Sequence, residues 1–128
     1  MAKSIRTQKW QDMNWITQHK RLAIYIRDNF ICMHCGMDLR KIQPGDGIRI
    51  ELDHVIPASK GGSNAADNLI TSCSACNAQR GNKDIEEVHP LLSQRAHIER
   101  ALALPLNIHL AKQILAERKA ARQGEKEV

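Results

Sequence analysis

The chain has 128 residues, a formal net charge of +5 and an aromatic content of only 3%. That length suits one domain with a modest core, burying roughly two-thirds of its unfolded surface, and excludes two comfortable ones. The basic balance suits a polyanionic partner, because Lys and Arg neutralise phosphates and release counterions, without singling out nucleic acid.

Residues 1–14 are polar, carry Lys3, Arg6 and Lys9 around Trp10, and are expected to form a basic N-terminal arm. Such an arm is either partly ordered or laid along a phosphate backbone. Met1 to Gln18 lacks the apolar stretch of a signal peptide, and no apolar run reaches membrane-spanning length. A cytoplasmic protein is therefore expected. From Trp15 to Asp28 the spacing predicts a helix with Trp15, Leu22, Tyr25 and Ile26 on one face and His19, Lys20, Arg21 and Arg27 mostly elsewhere.

This helix leads into Cys32-Met33-His34-Cys35-Gly36. Two residues between cysteines let both thiolates reach one ion, and the glycine permits the positive φ of a tight turn. Pro44-Gly45-Asp46-Gly47 is a turn, and Ile48 to Leu52 alternates apolar and polar, the period of a short strand. That strand should deliver Asp53 and His54 at its end. A Gly/Ser/Asn loop follows over Ala58 to Asp67, then a second short strand over Asn68 to Thr71, then a short helix from Cys73 to Arg80, halted near Gly81. Beyond it, residues 84–128 are expected to form a helical extension packed on the core. Pro90 would sit in the first turn of a helix to about Leu104, and Pro105 ends it. Leu106 to Arg122 carries Leu106, Leu110, Ile114 and Leu115 on a stripe read as core or dimer seam, core being favoured. Gln123 to Val128 reads as a disordered charged tail.

Few large rings are available to fill the core, so a staple is expected, and the cysteines are the candidates. Two disulfides would suit a secreted chain, but two Cys-x-x-Cys pairs without a signal peptide read as one metal site of Cys32, Cys35, Cys73 and Cys76. Residues 36–72 lie between the pairs, more than the 15–20 or so of a simple zinc ribbon. A four-thiolate zinc is closed and structural, because no position remains for water or substrate. His34 is thus not needed as a ligand. The long insert holds Asp53-His54: a carboxylate suits a hard divalent cation, and an imidazole can take a proton from water near neutral pH. By itself such a pair is a weak signal, and a hydrogen-bonded strand end is the favoured reading.

Leu52-Asp53-His54-Val55-Ile56-Pro57, Gly61-Gly62, Asn68-Leu69, Cys73-Ser74-Ala75-Cys76-Asn77 and Arg80-Gly81-Asn82-Lys83, bracketed by the first cysteine pair, together resemble the HNH endonuclease family. The likeness runs over about residues 27–83 and leaves the C-terminal third aside. It implies an α+β fold: a small ββα-metal (His-Me finger) core over 15–83, stapled by the four-cysteine zinc site, with helices at both ends. It implies His54 as general base, Asn68 as the residue tying the loop to the strand, and Asp53 and Asn77 as ligands of a catalytic divalent metal. With Asn in place of His at position 77, an oxygen site fits Mg²⁺ or Mn²⁺ best. Arg80 and Lys83 are implied as phosphate contacts. The partner would be DNA, met mainly through its backbone. A homodimer and a phage setting with a terminase partner are compatible with the resemblance alone.

Each residue also has a plainer reading: Asn68 as a turn staple, Asn77 as a helix cap, Arg80 and Lys83 as a solvated face, Gly61-Gly62 as a turn. Three functions follow: a DNA endonuclease, a catalytically inactive zinc-stapled nucleic-acid-binding module, or an assembly protein acting through its C-terminal helices. The full set of Asp53, His54, Asn68 and Asn77 favours the first.

Overall fold

The structure is a computed structural model that describes residues 16–127; the expected arm and Trp15 lie outside the described residues. Helix α1 spans Gln18–Arg27, and Thr17 caps it by accepting the Lys20 amide at 3.2 Å, satisfying one N–H that the helix leaves open. Its residues Leu22, Ala23, Ile24 and Tyr25 are buried. The helix is left through Asn29 and Phe30, both in the left-handed region (φ 56° and 57°). That conformation is tolerable for Asn and costly for Phe. The Phe30 amide bonds Tyr25 O at 2.8 Å and its ring packs on the core, which holds the turn that aims the chain at Cys32.

Arg27, expected off the apolar face, is buried instead. It pairs with Asp28 at 2.8 Å and donates to the carbonyls of Ala66 and Leu69, while Asp28 accepts the Thr71 amide at 2.9 Å. The reason lies outside the helix: an adjacent loop and strand present acceptors that only tertiary packing brings there.

Strands β1 (Ile50–His54) and β2 (Leu69–Cys73) pair antiparallel, with Ile50 opposite Cys73 and His54 opposite Leu69. Both end two residues later than the sequence suggests, and β1 also begins two residues later, at Ile50 instead of Ile48. Pairing partners set strand length: Asp53 and His54 are inside the ladder because Ile70 and Leu69 are there to meet them. Side chains alternate across the ribbon. Leu52 and Leu69 pack with Ile16, Ile24 and Tyr25, whereas Ile70 packs with Met33, Ile85, Ile98 and Ala101.

Helix α2 (Ser74–Arg80) follows directly, capped by Cys73, whose sulfur accepts the Cys76 amide at 3.3 Å, and stops at Gly81. Helix α3 (Ile85–Val88) carries a capping box of Asp84 and Glu87. Helix α4 (Leu92–Ala103) starts after Pro90, which lies before the helix and not in its first turn. Helix α5 (Ile108–Glu127) continues through the segment expected to be disordered. Its Ala111, with Leu106, Ile108, Ile114 and Leu115, packs on Leu22 and Ala23 of α1, so most of the apolar stripe is core; Leu110 is not among these contacts. The α+β architecture expected from the sequence is thus present. Among the described residues, no helix is long and apolar enough to cross a membrane.

Candidate functional site

The two cysteine pairs reach one point by different routes. Cys32 and Cys35 sit on a turn closed by the Gly36 amide to Cys32 O at 2.8 Å, with Gly36 at φ 80°. Cys73 ends β2 and Cys76 lies in the first turn of α2. The four sulfurs fall within 4.8 Å of one another, and those of Cys35 and Cys73 are 4.0 Å apart. Tetrahedral zinc with Zn–S near 2.3 Å sets sulfurs about 3.8 Å apart, so the donor set fits that ion. Electrostatics agree. Burial alone would raise the Cys32 thiol, but backbone N–H groups of Cys35, Cys73 and His34 outweigh it and bring it to about 7. Burial, the Cys73 sulfur and the negative charge at Cys32 push Cys76 far up. Four crowded thiols cannot all ionise unless a cation joins them. His34 takes no part in this cluster.

His34 points elsewhere. Its Nε2 lies 2.7 Å from Asp53 Oδ2, and the same oxygen accepts Arg80 Nη1 at 2.7 Å. Arg80, expected at a DNA phosphate, is 1% exposed. It spends four of its five N–H donors internally, on Asp53, on the carbonyls of His54 and Val55, and on Lys83 O. A guanidinium so enclosed holds the end of β1 against α2 and cannot at the same time grip a phosphate; Lys83 is exposed.

His54 lies on the opposite face of β1 from Asp53. Its Nε2 is 2.7 Å from Asn64 Oδ1, and Lys20 of α1 bonds Asn64 O. A carbonyl oxygen only accepts, so Nε2 carries the proton and, among the described residues, Nδ1 is the ring nitrogen open to take one. Asn68 is buried and staples the intervening loop: its Oδ1 accepts the Ile56 amide at 2.8 Å and its Nδ2 donates to Ser63 O at 2.8 Å and Ile56 O at 3.2 Å. The staple leaves no room at Gly62, where a Cβ would stand 1.7 Å from Ile56 O and 2.9 Å from Asn68 Nδ2. We expect Gly62→Ala to lower stability by about 1–3 kcal/mol, as overpacking does, read as a shift in the urea midpoint at unchanged slope. An unchanged midpoint would mean that the loop is not held as described.

Asn77 and Arg80, three apart on α2, both face β1. Asn77 Nδ2 donates to Glu51 Oε1 at 3.0 Å and lies 3.5 Å from Leu52 O. Glu51, two residues before Asp53, shares its strand face. Among the described residues, Asn77 Oδ1 and Asp53 Oδ1 accept no hydrogen bond, leaving one hard oxygen on each that could bind a divalent cation.

The structure therefore joins Asp53 with Arg80, keeps Asn68 on its loop, and sets His54 and Asn77 on separate partners. His34 and Asn64 enter the site unannounced by spacing; Glu51, by its period of two from Asp53, had a signal. Residues 32–83 match the family model of the HNH endonuclease. No curated protein and no solved structure matches the chain.

Proposed function

We propose, starting from the HNH endonuclease domain that residues 32–83 carry, that the chain is a metal-dependent endonuclease hydrolysing the phosphodiester bonds of DNA. One observation carries the reading. Among the described residues, a single side-chain oxygen is left free on each of Asp53 and Asn77, while His54 is held by Asn64 with its Nδ1 open. Asp53 and Asn77 would hold the divalent metal, Mg²⁺ or Mn²⁺, which when bound stabilises developing charge on the phosphate and leaving oxygen. His54 takes the proton of the attacking water at Nδ1, and Asn64 keeps its ring turned. Asn68 holds the loop carrying Asn64 in register with β1. Cys32, Cys35, Cys73 and Cys76 would hold a structural zinc that positions α2. Lys83 is the phosphate contact in this reading, and Arg80 positions Asp53. The phage setting and homodimer belong to the same reading and rest on the resemblance; the cytoplasmic location rests on the polar, basic start of the chain.

A second reading, a catalytically inactive zinc-stapled nucleic-acid-binding or assembly module, is favoured by the placement of Asp53 and His54 on opposite strand faces. Plasmid cleavage separates the two. With Mg²⁺ or Mn²⁺, His54→Ala of matched zinc content is expected to cleave about 10²–10⁴-fold more slowly than the parent chain. Equal rates would remove His54 from the chemistry, and a parent chain that binds DNA without cutting it in either metal would favour the module.

A further inference from the structure

The Asp53 carboxylate is the end of a chain of side chains that begins outside the family match. His89, just after α3, places Nε2 2.9 Å from Nδ1 of His34, and His34 places Nε2 2.7 Å from Asp53 Oδ2. The two imidazoles lie within 15° of one plane with centroids 5.2 Å apart. So long a centroid separation with so short an N···N contact puts the rings edge to edge, the geometry of a hydrogen bond and not of a π stack. The His34 and Asp53 side chains are 4% and 8% exposed. A third histidine, His97 of α4, approaches Met33 O at 2.8 Å and anchors the backbone beside His34.

The direction of these bonds follows from Asp53. A carboxylate accepts, so His34 Nε2 donates. A neutral imidazole donates through one ring nitrogen and accepts through the other, so with Nε2 on Asp53 it is Nδ1 that accepts. His89 Nε2 is then the donor. Burial chiefly, with positive charge at Arg80 adding to it, lowers the pKa of His89.

We infer that His89 and His34 are positioning residues for Asp53: His89 fixes the His34 tautomer, and His34, with Arg80, pins Oδ2 so that Oδ1 alone faces the cation. The inference rests on the metal-dependent nuclease reading for its consequence, and gives the segment after residue 83 a part in the site. It also gives His34 a role besides its place between two zinc ligands. Partners that hold a liganding group in one orientation typically change metal affinity by about 10–100-fold when removed.

The test uses the zinc-loaded full chain with ¹⁵N-labelled histidine. The parent should show His34 protonated at Nε2 and bare at Nδ1. His89→Phe, which keeps a ring's bulk and loses both nitrogens, should abolish that signature and raise the Mn²⁺ concentration for half-maximal DNA cleavage by about 10-fold or more. His89→Gln, which retains an N–H donor, should recover both. A parent His34 protonated at Nδ1 overturns the inference even if His89→Phe fails to fold, and so does a His34 signature indifferent to residue 89. Loss of the signature in His89→Phe at an unchanged Mn²⁺ requirement overturns the positioning of Asp53. A parent chain that keeps the ring signature but cleaves nothing overturns the nuclease reading instead, and the two failures are thus distinguishable.

Discussion

Cys73→Ser is expected to leave the chain largely unfolded, with far-UV circular dichroism near that of a coil and less than one zinc per chain. Cys73 ends β2, caps α2 and lies 4.0 Å from the sulfur of Cys35, so one side chain joins hairpin, helix and knuckle. The rest of the core is short of apolar bulk: the aromatic content is 3%, and the buried hydrophobics fall into small clusters. Structural zinc contributes roughly 10–16 kcal/mol in small peptides near neutral pH, comparable with or above the 5–15 kcal/mol or so by which whole domains are stable. Removing the ion with a strong chelator should have the same effect as the substitution, and re-adding zinc should reverse only the chelator's. A metal-free chain that melts like the zinc-loaded one would refute the staple.

Arg80→Leu is expected to cost about 3–5 kcal/mol in zinc-replete urea unfolding, the cost of leaving Asp53 buried with its ion pair broken. Three carbonyls, of His54, Val55 and Lys83, lose a donor with it. Arg80→Lys should recover little, because one ammonium cannot span a carboxylate and three carbonyls that a planar fork reaches together. Joining Asp53→Leu to Arg80→Leu should destabilise by less than the two singles added, since each single leaves the other's charge unpaired. The phosphate-contact reading expects the opposite. Under it, Arg80→Lys folds normally and only flattens the salt dependence of DNA binding, by a slope of about one. Normal stability with the flatter slope would return Arg80 to the DNA surface.

The site was legible in the sequence where chemistry depends on spacing along the chain. Two cysteines three apart can share an ion wherever the pair is placed, and the turn at Gly36 and the stop at Gly81 follow from glycine's freedom at positive φ. Asn77 on its helix was likewise located by local pattern, whereas Asn68, expected at the start of the second strand, lies in the turn before it. Partners across the fold were not legible. Asn64 carries no periodic signal, and His89 is 55 residues from the histidine it bonds. Arg80 is the sharpest case: an arginine one turn past Asn77 reads as a basic surface residue until the strand end that buries it is in place.

What the sequence determines by itself is the four cysteines of the candidate zinc site, the order of strand, loop, strand and helix, and which residues bear a carboxylate, an imidazole or an amide at the hairpin. These follow from local periodicity, turn chemistry and the fixed reach of two residues between cysteines. The tertiary structure alone decides which way those groups point. Pairing with β2 carries β1 through His54 and so turns Asp53 and His54 to opposite faces. Packing of α2 and the segment after it then surrounds Asp53 with Arg80 and His34, because a buried carboxylate must find its donors wherever the fold brings them.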